Sequence, residues 1–199
     1  MAHSSLTNGN VSFWYDEVGF PVRKPALAES LSCDVCIVGA GYTGMWTAYY
    51  LKKAAPNLRV VLLEQQFAGY GASGRNGGWL TNSVTGGRDQ YVSSHGKESA
   101  LAMQSAMNHT VDEVIRICEL EGIDADIVKG GELNAAFNPA QHERLLEWAA
   151  EEHSWGYDDV QVFNKAETLS RITLPNVRSS IWHPHCARIQ PAKLAQGLR

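Results

Sequence analysis

Two glycine-rich stretches and one acidic residue hold the chemistry available to this sequence. The first stretch, Gly39-Ala40-Gly41-Tyr42-Thr43-Gly44, follows the apolar, β-rich run Val35-Cys36-Ile37-Val38. Glycines at this spacing after a strand suit a phosphate ligand in three ways. Gly39 permits a tight turn, Gly41 leaves the backbone open to close approach, and Gly44 lets the next helix lie against the strand. The N-terminus of that helix presents free N–H groups and a partial positive charge to a diphosphate. Glu64 stands 20 residues beyond Gly44, at the end of a second apolar run from Arg59 to Leu63. An acid at that distance accepts hydrogen bonds from an adenosine ribose and repels a ribose 2′-phosphate, which disfavours NADP. The second stretch, Gly71-Ala72-Ser73-Gly74-Arg75-Asn76-Gly77-Gly78, is too rich in glycine for an ordinary helix or strand. Its Ser, Arg and Asn suit contact with phosphate and with a polar ring edge. The combination predicts a site for the ADP half of a dinucleotide, approached by a second loop; a surface loop without a ligand is the alternative for that second stretch.

These residues need elements to position them. Val35–Val38 is expected to be a buried parallel strand. A helix is expected over 42–55, with Met45, Ala48, Tyr49 and the Lys52 stem at helical spacing, stopped by Pro56-Asn57. Residues 59–63 form the second strand. Upstream, residues 1–11 are polar and expected to be loose. Phe13, Trp14 and Tyr15 form an aromatic knot that packs the N-terminal arm on the nucleotide fold, with a substrate-side role for Trp14 as the alternative; residues 19–25 read as an irregular linker. Downstream, residues 81–96 read as loop. A long helix is expected over 97–121, its apolar face made by Met107, Val111, Val114, Ile115 and Cys118, ending at Gly122. His109 is expected on its surface. Residues 127–137 read as one or two strands broken by Gly130-Gly131. Asn138-Pro139-Ala140-Gln141 is a helix start with cap, first-position proline and a Gln that reaches back. That helix runs to His153 with Leu145, Leu146, Trp148 and Ala149 inward. A strand over 160–163, a helical turn over 165–169, a strand over 179–183 and a helix from Pro191 complete the pattern.

The wording Val35-Cys36-Ile37-Val38-Gly39-Ala40-Gly41-Tyr42-Thr43-Gly44, then Glu64, then the loop from Gly71 to Gly78, resembles FAD-dependent amine and amino-acid oxidases of the D-amino-acid oxidase superfamily. With the entry segment Ser12-Phe13-Trp14-Tyr15, the chain looks most like the γ-glutamylputrescine oxidase group. The resemblance implies an α/β fold: a Rossmann-like FAD-binding βαβ unit followed by part of an α+β substrate domain. It implies FAD as cofactor, with contacts from Gly39, Gly41, Tyr42, Thr43, Gly44, Glu64, Gln65, Ala72, Ser73, Arg75, Asn76, Gly77, Gly78 and Leu80. Glu64 would hold the adenosine ribose, and Ser73, Arg75, Asn76 and Gly77 to Leu80 would line diphosphate and flavin. The implied reaction is oxidation of the CH–NH bond of an amine, γ-glutamylputrescine-like or an amino acid, to an imine. Water then gives an aldehyde or keto acid, and oxygen reoxidises the flavin. Within this scheme the expected organisation is an arm and linker over 1–30, an FAD-binding part over 31–90, a partial substrate domain over 91–190 and, over 191–199, the start of a helix returning to the FAD domain. No residue stands out as a catalytic base.

Composition narrows the alternatives. The 199 residues are 44% apolar, and the net charge of −4 gives no electrostatic case for nucleic acid. No apolar run approaches the roughly 20 residues a bilayer requires, and no signal peptide is visible, so a cytoplasmic location is expected. Cys33 and Cys36 have CxxC spacing, but Cys36 falls within a strand and is expected to be a buried thiol rather than a redox or metal ligand. His183-Pro184-His185 puts two imidazoles on one side of a strand; packing or a place in a substrate cavity is expected, and no metal. The pairs Glu151-Glu152 and Asp158-Asp159 are expected to be solvated. Two parallel strands make less than a doubly wound half, so an N-terminal portion of an architecture about twice as long is expected, its partner being the C-terminal half of the same fold. An FAD- or NAD-dependent dehydrogenase of another substrate class and a truncated, non-catalytic nucleotide-binding fragment remain alternatives.

Overall fold

The computed structural model describes residues 11–199; the expectation for residues 1–10 lies outside the described residues. The chain forms two compact units that interleave in sequence. The first comprises the described part of Met1–Trp79 with Ile115–Ile127 and Ile189–Arg199; the second comprises Leu80–Val114 and Val128–Arg188.

The first unit is built on β1 (Val35–Val38), α2 (Tyr42–Ala54) and β2 (Val60–Leu63). The two strands run parallel with Val35 opposite Val60 and Val38 opposite Leu63, the register a helical crossover produces. At the open end of the pair, Arg59 makes a two-point contact with the Asp34 carboxylate, with Nη2 to Oδ1 at 2.8 Å. Hydrogen bonds from the Arg59 side chain and backbone hold that carboxyl at about 2; the pair is exposed, so its contribution to stability is small. Lys52 donates to the carbonyls of Pro56 and Leu58, which ties off the C-terminal end of α2. Ala40, Met45 and Ala195 form a small core with Tyr42, Leu62, Ala68 and Leu198 packed around it. Ala195 comes from α6 (Pro191–Gly197), the helix expected from Pro191. The aromatic knot is a helix, α1 (Phe13–Val18): the Ser12 hydroxyl accepts from the Tyr15 N–H, and Gly19 at φ 80 ends it. Ser12 and Gly19 were the available cap signals.

The expected burial of β1 is corrected. Val38 is 85% exposed, and Cys36 is exposed rather than a buried thiol. The burial string of β1 alternates between half-buried and exposed. A parallel strand reads as continuously apolar because it is covered on both faces; among the described residues the sheet has only two strands. All four cysteines are free.

The second unit is organised by an antiparallel sheet in the order β5-β7-β6: β5 (Glu132–Ala136), β7 (Ser179–His183) and β6 (Gln161–Phe163). Glu132 pairs with His183, and Gln161 pairs with Trp182. The helix α4 (Pro139–Ser154) covers one face through Ala149, which packs with Val160 and Ile181, flanked by Leu145 and Trp148. Ile181 is fully buried, a burial that stabilises by about 1.5–3 kcal/mol. Leu146, expected inward, is 43% exposed; Leu145, Trp148 and Ala149 share the i, i+3, i+4 stripe, and Leu146 is turned off it. Asn138 caps α4 by accepting from the Gln141 N–H, while the Gln141 side-chain Oε1 accepts from the Phe137 N–H. The helix α5 (Lys165–Arg171) begins with a capping box of Asn164 and Glu167. A further three-stranded sheet has the order β3-β8-β4, with β3 (Trp79–Thr81), β8 (Cys186–Arg188) and β4 (Val128–Lys129).

Residues 81–96, expected as loop, contain the end of β3 and the start of α3 (Asp89–Glu121). Gly96, at φ 80, interrupts α3. The segment before it, Asp89-Gln90-Tyr91-Val92-Ser93-Ser94-His95, is polar and lacks the apolar stripe that signals a helix. Beyond Gly96, Val111, Val114, Ile117 and Cys118 are buried. His109 is exposed as expected, and Gly122 at φ 67 ends the helix.

Candidate functional site

The glycine turn between β1 and α2 is built as its spacing requires. Gly39 has φ 102, a conformation that strains any L side chain, and its N–H bonds the Leu63 carbonyl at 2.7 Å. A Cβ on Gly44 would lie 2.1 Å from the Gly39 carbonyl and 3.2 Å from the Ile37 side chain, so only glycine allows α2 to sit this close to β1. Gly41 precedes the first residue of α2 in extended conformation. The first-turn N–H groups of a helix have no intrahelical acceptor. That of Tyr42 donates to the Ser73 hydroxyl at 2.8 Å, and a Cβ on Gly41 would lie 3.2 Å from the same oxygen. Ser73 of the second loop therefore stands at the N-terminus of α2, 31 residues away in sequence. Thr43 is exposed beside it.

Glu64 closes the other side. Its Oε2 accepts from the Ala40 N–H and its Oε1 from the Gln66 N–H, both at 2.9 Å. The carboxylate is tied to the glycine turn yet exposed, and each oxygen keeps a further lone pair. Glu64 and Gln65 border an open cavity of about 1460 Å3, which Val38, Ala40 and Met45 also line.

The second loop is a 3-10 turn (Ala72–Gly74) running into a bend. Asn76 holds it from within: its Nδ2 donates to the Ser73 carbonyl and its Oδ1 accepts from the Gly78 N–H, both at 2.9 Å. The N-terminal helix holds it from outside. Ser12 Oγ donates to the Gly74 carbonyl and Trp14 Nε1 to the Asn76 carbonyl, each at 2.7 Å. A Cβ on Gly74 would meet both the Gly69 carbonyl and the Tyr15 ring; one on Gly78, at φ 77, would meet the Ile189 carbonyl at 2.6 Å. Arg75 turns away from Ser73: its Nε donates to the Tyr70 carbonyl, and its guanidinium lies over the Tyr70 ring. Ala72 and Gly77 are exposed. Leu80 belongs to the second unit. The aromatic knot packs the N-terminal arm on the nucleotide fold, as expected, with Tyr15 fully buried; sequence reasoning missed only that Ser12 and Trp14 hold the second loop itself. Burial pushes the Tyr42 phenol up, and its hydroxyl donates to the Pro191 carbonyl at 2.9 Å.

The second unit holds a smaller polar cavity of about 290 Å3. Arg88, its side chain 8% exposed, grips Glu152 through both guanidinium nitrogens, one at 2.8 Å, and lies over the rings of Trp155 and Tyr157. Glu152 also accepts from Trp148 Nε1 at 3.0 Å. Asp159 contacts His185, with Oδ2 2.6 Å from Nε2. The expectation that these acids are solvated is corrected for Glu152, whose side chain is 16% exposed; Asp159 stays 41% exposed while it contacts His185. Local sequence could not reveal this, because Arg88 lies 64 residues from Glu152. His183 and His185 both line this cavity. The His183 imidazole, with Nε2 3.7 Å from Glu132, holds that carboxyl below its ordinary value. Among the described residues no group of three or more His, Cys, Asp or Glu is arranged to hold a metal ion.

Comparison with known proteins places these features in a family context. The family described as DAO, FAD dependent oxidoreductase, matches residues 34–199. A probable oxidoreductase OrdL of Haemophilus influenzae is 27% identical over 94% of this chain and 43% of its own length. The gamma-glutamylputrescine oxidoreductase of Escherichia coli is 32% identical over 86% of this chain and 39% of its own length. Among solved structures, glycine oxidase from Geobacillus kaustophilus superposes with a TM-score of 0.61 at 25% identity, over 83% of this chain and 43% of that one. The chain thus spans less than half the length of the relatives it matches.

Proposed function

Since the chain belongs to the family of FAD-dependent oxidoreductases, we propose that its first unit binds the ADP half of FAD in a protein that oxidises the CH–NH bond of an amine. The observation that carries this reading is the meeting of Ser73 with the N-terminus of α2, across a turn whose Gly44 position excludes a Cβ. That cradle fits a diphosphate: the first-turn N–H groups and the Ser73 hydroxyl donate to phosphate oxygens, and Gly41 lets them approach. Glu64 accepts from the ribose hydroxyls through its remaining lone pairs, with Gln65 beside it. Ala72, Asn76, Gly77 and Gly78 line the path toward the flavin, and Arg75 reaches it by leaving Tyr70. Bound FAD supplies the hydride acceptor; the chain's own residues bind, orient and exclude water.

The relatives' printed activities, a gamma-glutamylputrescine oxidoreductase and a glycine oxidase, support a reading of the substrate side as well. A γ-glutamylputrescine-like amine or an amino acid loses hydride from the carbon beside nitrogen, and water converts the imine to aldehyde or keto acid. Oxygen is the electron acceptor, and the location is cytoplasmic; no helix among the described residues is long and apolar enough to cross a membrane. The remaining strands of the FAD fold come from a C-terminal half, which would cover the exposed face of β1 around Val38.

The test is flavin retention. The chain, soaked with FAD and freed of excess, keeps the visible flavin bands; Gly41→Val abolishes them, and Ser73→Ala weakens binding by about tenfold. A chain that retains no flavin, or a Gly41→Val variant that binds as well as the parent, overturns the reading. In the full-length protein, anaerobic bleaching by γ-glutamylputrescine decides the substrate: bleaching supports it, and flavin that stays oxidised removes this amine.

A further inference from the structure

Within the second loop, the peptide unit that joins Asn76 to Gly77 is held by one indole. Its carbonyl accepts from Trp14 Nε1 at 2.7 Å. The groups that follow it have other partners. The Gly78 N–H donates to Asn76 Oδ1, and the Gly78 carbonyl accepts from the Ile189 N–H, both at 2.9 Å. Trp14 is itself fixed on several sides. Its carbonyl accepts from buried Gln190 at 3.2 Å. Ser12, two residues earlier, donates to the Gly74 carbonyl at 2.7 Å. The Trp14 ring lies so close to the loop that a Cβ on Gly78 would come within 3.1 Å of it.

A trans peptide is planar, so its N–H and C=O point in opposite directions. With the Asn76 carbonyl fixed toward Trp14, the Gly77 N–H points away from α1. Among the described residues nothing accepts from it. Gly77 is exposed, and a Cβ placed on it would meet no atom within 4 Å. A unit followed by two glycines can also turn over, because glycine tolerates either sign of φ. Such a flip of one peptide is what separates type I from type II turns. The flipped unit would present a carbonyl where the N–H now stands. Packing of the Trp14 ring on Gly78 braces the loop in either orientation; the indole N–H is what chooses between them.

We propose that Trp14 is a positioning residue for the cofactor: its indole N–H locks the Asn76–Gly77 peptide with the Gly77 N–H turned outward as a donor, and so raises the reduction potential of flavin bound beside the loop. This inference rests on the flavin reading above and gives Trp14, which stands in α1 far from the loop in sequence, a part in it. A hydride, two electrons with one proton, passes from the substrate carbon to the cofactor and raises its negative charge. A donor already aimed at that charge favours the reduced form, and a carbonyl in its place disfavours it.

Trp14→Phe keeps an aromatic ring over Gly78 and removes the N–H. The FAD-loaded chain and this variant are compared by redox titration and by nitrogen NMR of the Gly77 amide, with circular dichroism confirming the fold. In the parent, FAD is expected to shift the Gly77 amide resonance and to slow its hydrogen exchange by about tenfold. In Trp14→Phe the midpoint potential of the flavin falls and the Gly77 response is lost. An unchanged potential with full Gly77 protection in the folded variant overturns the proposal and leaves Trp14 as packing alone. A Gly77 amide that ignores FAD in the parent overturns it as well, which decides the matter even if Trp14→Phe fails to fold. The two readings fail differently: a parent that retains no flavin removes the flavin reading and this inference with it, whereas flavin retained with Gly77 unmoved removes this inference alone.

Discussion

The glycine turn of the first unit and the polar cavity of the second are both ligand-sized sites, but they are made of different material. The turn works with backbone. Gly39, Gly41 and Gly44 act by what they lack, and the groups offered are peptide N–H donors and one hydroxyl, Ser73. The cavity works with side chains. Arg88, Glu132, Glu152, Asp159, His183 and His185 come from five separate segments, and each is held by another member of the set. A backbone site tolerates exposure, as Glu64 and Gly77 show, because peptide groups pay little for staying in water. A site of buried charges holds only if every charge is answered, so losing one member harms the fold before it harms the ligand.

The contrast can be broken most sharply at Arg88. Glu152→Ala leaves its guanidinium, 8% exposed, without its two-point partner. The expected loss is about 3–5 kcal/mol, read as a fall in the urea midpoint; Arg88→Met with Glu152→Met recovers most of it. A loss no larger than that of a surface pair would show that the cavity is wetter than its burial implies. Gly44→Ala comes next. Its Cβ meets the Gly39 carbonyl rather than a movable side chain, so about 1–3 kcal/mol of overpacking is expected, with FAD retention lost alongside. Full FAD binding by that variant would detach the cradle from the helix packing. Asn138→Ala, which removes the cap of α4, is expected to lower stability by about 1 kcal/mol without touching FAD retention. The smallest effect is one of pH. The His183 contact holds Glu132 below its ordinary value of 4.5. A depressed folded value gives stability that is present above 4.5 and fades as the pH falls through the folded value. Thermal melts of the parent and of Glu132→Gln should therefore differ above that range and converge in acid; a constant difference would remove His183 as the cause.

Legibility in the sequence follows the same division. The turn at Gly39–Gly44, the strand pair around it, the cap at Asn138 and the strand over 179–183 depend on neighbours a few residues apart, and periodicity and cap chemistry encode such neighbours directly. The helix Phe13–Val18 had its signals in Ser12 and Gly19, though three aromatics in a row concealed them. The start of α3 at Asp89 had none, because a polar turn without an apolar stripe reads as loop. Burial was the poorest guess. Cys36 and Val38 look like interior residues, since the sequence reports their hydrophobicity and not what covers them.

The sequence by itself determined the glycine cradle, the acid at its proper distance and the family, because backbone conformation and short spacings are local properties. Only the tertiary structure decided that Ser73 meets the N-terminus of α2, that Trp14 braces the second loop, that Glu152 leaves solvent for Arg88, and that Asp159 contacts His185. Those contacts join residues 26 to 64 positions apart. Such pairings depend on how elements pack, and no local pattern records which distant side chain will neutralise a buried charge.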